Sequence, residues 1–295
     1  MKLAVIGSIN MDQVVTTGRI PGKGETVPGH DLRYVPGGKG ANQAVAMARL
    51  GAQVTMYGCV GDDENGRQLL SLLKDEGIDV SRVRVIKDEP SGLAIITVAE
   101  NDNVIIVVSG ANGLVDRRYI DSISGELSQY DLVVLQHEIP LETVHYTISV
   151  CHEKGVRTVL NPAPANAVPA DIIEKVSYLT PNEHEARLIF GEGVTMEEVL
   201  RRYPEKLIVT QGAKGVTVCL KDGELLTVPA RKARVVDTTG AGDTLNGAFS
   251  VRIAAGDNIR DALDYANTAA GLSIEKFGAQ GGMPDDVMVR ERMER

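Results

Sequence analysis

The chain is 295 residues long, carries a formal charge of -9, and is 43% hydrophobic. That length can bury a large core, and the acidic balance argues against nucleic acid or an anionic membrane surface as the main partner. Cys59, Cys151 and Cys219 are widely spaced and in no metal-ligand pattern, which predicts buried thiols in a reducing compartment. Met1 leads almost directly into an apolar run at 2–6, without signal-peptide layout, and the longest apolar run, 104–108, is too short to span a bilayer. A soluble cytoplasmic protein is the expectation.

Apolar runs at 2–6, 54–59, 132–136, 157–160, 178–179 and 207–210 predict strands. Helical patterns at 41–50, 66–76, 141–154, 183–190 and 196–203 fall between them. Such alternation implies βαβ units and an α/β fold with a mostly parallel sheet covered on both faces. Segments 215–220 and 224–228 flank Lys221-Asp222-Gly223, a hairpin signal, and helices are expected over 243–254 and 260–274. Stretches 12–35 and 91–108 break the rhythm, with strand-like alternation but no helix, and turns at Pro21-Gly22, Pro28-Gly29 and Asp102-Asn103. They are expected to pair as a small sheet outside the main one, a flap suited to excluding water during transfer chemistry. Two surface hairpins are the plainer alternative.

Five motifs bear on chemistry. Asn10 and Asp12 follow the first strand, where ligands of open α/β sheets collect, and could read vicinal hydroxyls. Taken alone, the pair is better explained as a turn held by Asx side chains. Pro36-Gly37-Gly38-Lys39-Gly40-Ala41-Asn42-Gln43-Ala44 fails the Walker pattern, because Gly40 stands where Ser or Thr is required, and the Gly7-Ser8-Ile9-Asn10 strand end fails the dinucleotide fingerprint. Its glycines allow close approach to a small polar ligand, with Lys39 and Asn42 as donors.

Asn182 and Glu185 lie one turn apart and could hold water around magnesium, or form a capping box without metal. Thr210-Gln211-Gly212-Ala213-Lys214-Gly215 suits a flat base against backbone, or any tight connection. The most informative stretch is Asp237-Thr238-Thr239-Gly240-Ala241-Gly242-Asp243, leading into a helix. Small residues at a helix start aim N–H groups and the positive dipole end at an anion. Asp243 sits beside that anion hole as a candidate base, or as an ordinary N-terminal helix residue.

Together these residues resemble the phosphofructokinase-B-type carbohydrate kinase family over essentially the whole chain. Both family signatures are present: Gly37-Gly38-Lys39-Gly40-Ala41-Asn42 with Gly51 and Gly61, and the segment 237–247. Gly24-Glu25-Thr26-Val27, Asn161-Pro162-Ala163-Pro164 and Gly278-Ala279-Gln280 narrow the likeness to its ribose-phosphorylating members.

The resemblance implies a three-layer α/β/α sandwich with a mostly parallel central sheet and a small β-sheet lid, one kinase domain over 1–295 with the lid inserted. It implies ATP-dependent phosphorylation of D-ribose at O5. Asn10, Asp12, Gly38, Lys39, Asn42, Glu138 and Asp243 would bind the sugar; Asp243 would be the base, with the Gly240, Ala241 and Gly242 amides stabilising phosphoryl charge. Asn182, Thr210, Gly212, Ala213, Lys214, Gly215, Gly242 and Asn267 would line the ATP site, with Glu185 meeting Mg2+ through water. Asp237, Thr239, Ser273, Lys276, Gly278 and Gly282 would hold a monovalent cation, K+. Gly281-Gly282 replaces the family's Pro-Ser pair, leaving a carbonyl without the hydroxyl, and Asn267 stands where the best-known members carry His. A homodimer through the lid sheets is expected, with no nucleic acid or membrane partner.

Rival readings are a same-family kinase for another small sugar or nucleoside, and a non-catalytic sugar or nucleotide sensor. An acidic substrate would want an extra Arg, and a nucleoside an aromatic lid, yet aromatics are 4% and Trp is absent. A dinucleotide-dependent reductase lacks its fingerprint.

Overall fold

The computed structural model describes residues 1–100 and 102–294. Its centre is a parallel sheet in the order β10-β9-β8-β1-β4-β5. The strands are β1 (Lys2–Ile6), β4 (Gln53–Gly61), β5 (Asp79–Ile86), β8 (Leu132–Gln136), β9 (Thr158–Asn161) and β10 (Tyr178–Leu179). Every pair in it runs parallel. An antiparallel sheet of β11 (Ile208–Thr210), β12 (Val216–Cys219) and β13 (Leu225–Val228) adjoins β10 through two isolated parallel bridges, Leu179 to Leu207 and Asn182 to Thr210.

The central strands alternate between two helix layers. Leu3 and Val5 of β1, with Leu132 and Val134 of β8, pack into one core with α1 (Lys39–Arg49), α2 (Glu64–Asp75), α8 (Ala241–Ala255), α9 (Ile259–Ser273) and α10 (Asp286–Met293). Ala4, Ile6, Val133 and Leu135 enter the opposite core with α3 (Arg117–Ile123), α4 (Leu141–Glu153), α5 (Ala170–Lys175), α6 (Glu183–Phe190) and α7 (Met196–Arg202). This two-sided burial is why these strands read as unbroken apolar runs rather than alternating ones. A one-residue slip of β1 would exchange its two faces, and with roughly 1.5–3 kcal/mol per buried Leu or Ile the register is fixed. The expected three-layer sandwich is therefore present.

The two irregular stretches do pair. β2 (Asn10–Thr17), β3 (Gly29–Gly37), β6 (Gly92–Ala99) and β7 (Asp102–Val108) form a four-stranded sheet in the order β3-β2-β6-β7, antiparallel except for β2 against β6. The turn expected at Asp102-Asn103 is not there: both residues are in the ladder, paired with Ala99 and Val98. Four elements escaped the sequence pattern, namely β5, α3, α5 and α10. Among the described residues no helix is long and apolar enough to cross a membrane. All three cysteines are buried and free.

Candidate active site

The carboxyl ends of neighbouring strands deliver polar groups to one edge. Ser8 and Asn10 follow β1, Glu138 follows β8, Asn161 ends β9 and Thr180 follows β10. The N-termini of α1 and α8 point at the same edge. α1 can start there because Gly40 rests on the turn after β1, where a Cβ would lie 2.6 Å from the Ser8 nitrogen, and because Ala41 N–H donates to Ser8 O at 2.9 Å. Gly38, its N-cap, has φ +86, which L side chains rarely adopt.

Asp243, 7% exposed, lies in the first turn of α8 with both carboxylate oxygens engaged. Asn42 Nδ2 donates to its Oδ2 at 2.9 Å and Gln43 Nε2 to its Oδ1 at 3.0 Å. Gly242 lies in the open, with nothing within 4 Å of where a Cβ would be. The Ala241 N–H is turned back onto Thr238 O at 3.2 Å, so of the three small residues it is the one whose amide is already used.

Glu138 anchors the opposite wall. Its Oε2 accepts from Ser8 Oγ at 2.6 Å and from Lys39 N–H at 2.9 Å. Asn10 is buried and its Oδ1 accepts from Asn112 Nδ2 at 2.7 Å. Asp12 projects from β2 over Gly37, where a Cβ would overlap its carboxylate. Burial, then Glu138 and Asp243, push the Asp12 carboxyl up to about 7, against the pull of Lys39. Burial lowers Lys39, but Asp243, Glu138, Glu185 and Asp12 outweigh it and hold the ammonium above its ordinary range. Four carboxylates thus act electrostatically on one lysine.

Two cavities meet here. One, about 500 Å³, lies between the inner face of the small sheet (Asp12, Val14, Ile96, Ile105) and the Asp237–Thr239 and Phe277–Ala279 loops. The other, about 440 Å³, is lined by Gly212, Ala213, Asn267, Gly271 and Ala241. Val235 and Thr238 border both. Asn267 does not present its amide to the second cavity: Nδ2 is committed to Val228 O and Pro229 O at 3.0 and 2.7 Å. Lys214 is exposed, with its Nζ 3.9 Å from Glu183. Gly215 is pressed against β13, where a Cβ would lie 2.0 Å from Val228 O. Thr210 donates its N–H to Pro181 O at 2.9 Å.

Asn182 and Glu185 form the capping box: each side chain takes the other's backbone N–H at 2.8 Å. Glu185 is buried, which raises its carboxyl despite the Asn182 hydrogen bond and Lys39. The cap uses Glu185 Oε2.

Asp237 accepts from Thr239 N–H and Gly278 N–H, both at 2.9 Å. Burial pulls its carboxyl up, but these hydrogen bonds outweigh it and hold it below the usual range. Ser273 turns its hydroxyl onto Ala270 O at 2.8 Å, away from Asp237. A Cβ on Gly282 would lie 1.8 Å from Ser273 O and one on Gly281 2.4 Å from Phe277 O. Glycine at these positions lets the Phe277 and Ser273 carbonyls press against the backbone where a side chain would stand, with no room at 282 for a serine side chain. Among the described residues no group of three His, Cys, Asp or Glu could hold a metal.

Residues 1–286 match the pfkB family of carbohydrate kinases. The chain belongs to the pfkB carbohydrate kinases. This pfkB kinase is 47% identical to the ribokinase of Bacillus subtilis over 98% of each chain. Its fold superposes on the ribokinase of Thermotoga maritima with a TM-score of 0.90 at 33% identity, covering 99% of both chains. Arabidopsis thaliana ribokinase, solved with ribose and ATP, gives a TM-score of 0.90 at 29% identity over 99% of this chain and 98% of that one.

Sequence reasoning missed how this pfkB kinase builds the site from behind. Gln43, Gln136, Asn161 and Gln280 lie behind Asp243 and Asn42 in one hydrogen-bonded set. Gln43 and Gln280 stood inside quoted motifs, but nothing in spacing says that an amide on α1 faces one on β8.

Proposed function

We propose that this chain transfers the γ-phosphoryl group of ATP to the O5 hydroxyl of D-ribose, giving D-ribose 5-phosphate and ADP. The observation that carries the reading is Asp243, held by two side-chain amides in the first turn of α8, the helix whose Ala241 lines the Gly212–Asn267 cavity and whose preceding Thr238 borders both cavities. A sensor needs no oriented carboxylate there.

Asp12, Asn10, Lys39 and Glu138 grip the sugar hydroxyls and leave the primary hydroxyl facing Asp243. Asp243 accepts its proton as the oxygen attacks the γ-phosphorus in line; the bond to the bridging β–γ oxygen breaks and ADP leaves with that electron pair. The protein's part is positioning and charge stabilisation. The Gly240 and Gly242 amides at the start of α8, rather than the Ala241 amide that Thr238 O takes, face the equatorial oxygens of the transferred group, where a preorganised donor is worth most. The cavity of Gly212, Ala213 and Asn267 holds the adenine against backbone, and Thr210, Lys214, Gly215 and Asn182 are assigned to the same nucleotide. Asn267, pinned to β13, serves as a wall.

Mg2+ would be held through water by Glu185 and would neutralise phosphate charge. K+ would be held by Asp237, Thr239 and the carbonyls of Ser273, Lys276, Gly278 and Gly282, adding positive charge beside the anion hole. The small sheet acts as the lid. Its outer face shows Leu32, Tyr34, Val104 and Ile106 at 47–58% exposure, a patch that a second copy's lid would cover.

The test is the product itself. Phosphorus NMR of the reaction with ATP, Mg2+ and ribose should give one new phosphomonoester coupled to the C5 protons. Coupling to the anomeric proton would place the transfer at O1 and sink the assignment of O5.

A further inference from the structure

We propose that Gln43 is a positioning residue for phosphoryl transfer, fixing the plane of the Asp243 carboxylate through a buried chain of amides. The proposal rests on the reading of Asp243 as the base. Gln43 and Gln136 are fully buried. Gln43 Nε2 donates both to Asp243 Oδ1 at 3.0 Å and to Asn161 Oδ1 at 3.1 Å, while its Oε1 accepts from Gln136 Nε2 at 2.7 Å. These partners allow one orientation only: turned over, the Gln43 carbonyl would face two acceptors and its amide would face a donor.

The far end of the chain makes the point sharper. Among the described residues Gln136 Oε1 is buried without a partner. An orphaned buried acceptor destabilises a fold, and a leucine on β8 would avoid it. What the glutamine provides is the hydrogen bond that locks Gln43. Asn161 is tied in turn to Thr180 O at 3.3 Å, so the chain is braced on β9 and on the residue after β10.

On the other side of Asp243, Asn42 holds Oδ2 and is itself held by Gln280 Nε2 at 3.0 Å. The terminal torsion of an aspartate is intrinsically broad. Two oriented donors, one per oxygen, remove that freedom and leave the outward lone pairs for the incoming hydroxyl. A base oriented by a third group is a recurring logic of activated nucleophiles.

The test is a double-mutant cycle on the full chain with ATP, Mg2+, K+ and ribose, using Gln43→Leu, Asp243→Asn and both together. Gln43→Leu should lower kcat by about 10–100-fold with KM for ribose and ATP within about twofold, since small misplacements of reacting groups cost on this scale. In the Asp243→Asn background the same change should lower residual kcat less than about threefold, because there is no base left to aim. Equal losses in both backgrounds would overturn the proposal and leave Gln43 a packing residue. If Asp243→Asn by itself kept wild-type turnover, the base assignment would fail instead. Should Gln43→Leu not fold, Gln136→Leu removes the lock from outside the site: it should lower kcat with KM unchanged, and an unchanged kcat would overturn the proposal.

Discussion

Asn42 and Asp243 stand 201 positions apart in the chain and meet side chain to side chain at 2.9 Å. They do so because α1 and α8 touch almost backbone to backbone one turn further on, where a Cβ on Gly247 would lie 2.7 Å from the Ala46 Cβ. A glycine deep in α8 thus sets the distance between a proposed sugar ligand and a proposed base.

Gly247→Val should therefore cost both stability and activity. Overpacking at such a contact destabilises by about 1–3 kcal/mol, partly offset by the better helix propensity of valine. The urea midpoint should fall with an unchanged m-value, and kcat should fall further than stability explains, as Asn42 is drawn off Asp243. An unchanged midpoint with unchanged kcat would contradict the close contact.

Asp12 carries the pH dependence. Its carboxyl is pushed up to about 7 in the folded protein, first by burial and then by Glu138 and Asp243. As the proposed sugar ligand it would accept from hydroxyls, so kcat/KM for ribose should show an acid limb near that value, and Asp12→Asn should abolish the limb while raising KM. The sign for stability is opposite. A carboxyl raised in the folded state favours folding below about 3.9 and loses that contribution as pH rises through about 7. Asp12→Asn should then be relatively more stable at pH 8 than at pH 5, compared with the parent. A limb that persists in Asp12→Asn belongs to another group.

Asp237 sits on the loop that would hold the monovalent cation. Burial raises its carboxyl, but Thr239 and Gly278 outweigh this, so it stays ionised across neutral pH and contributes stability that is lost only as pH falls below about 3.9. Exchanging potassium for choline should lower kcat in the parent, and Asp237→Ala should lose most of that response. A parent indifferent to the exchange would remove the cation from the account.

Much of this was legible in the sequence. The βα rhythm gave the sandwich because apolar runs such as 132–136 are buried on both faces, and a run of that length has no other home. The small sheet could be foreseen from 12–35 and 91–108, which alternate without a helix. β5 escaped because 79–86 carries Asp79, Ser81, Arg82 and Arg84 and is mostly exposed at the sheet edge. At the site, helix-start motifs named Asn42 and Asp243, since small residues and charges at a helix N-terminus have a local physical meaning. Gln136 and Asn161 carry no such local sign. Their role comes from strand order, which places the ends of β8 and β9 beside α1, and no spacing in the chain encodes that neighbourhood. For Asn182 and Glu185, geometry makes the capping box that the spacing allowed, while the part toward magnesium stays with the proposal.

The most direct test is ADP release by the purified full chain with ATP, Mg2+ and K+, comparing ribose, 2-deoxyribose, fructose, adenosine and ketodeoxygluconate. Ribose should give the highest kcat/KM, and Asp243→Asn should lower kcat with ribose by about 10²–10⁴-fold. A lead by adenosine or another substrate, or no ADP from any of them, would contradict a ribose kinase built around Asp243.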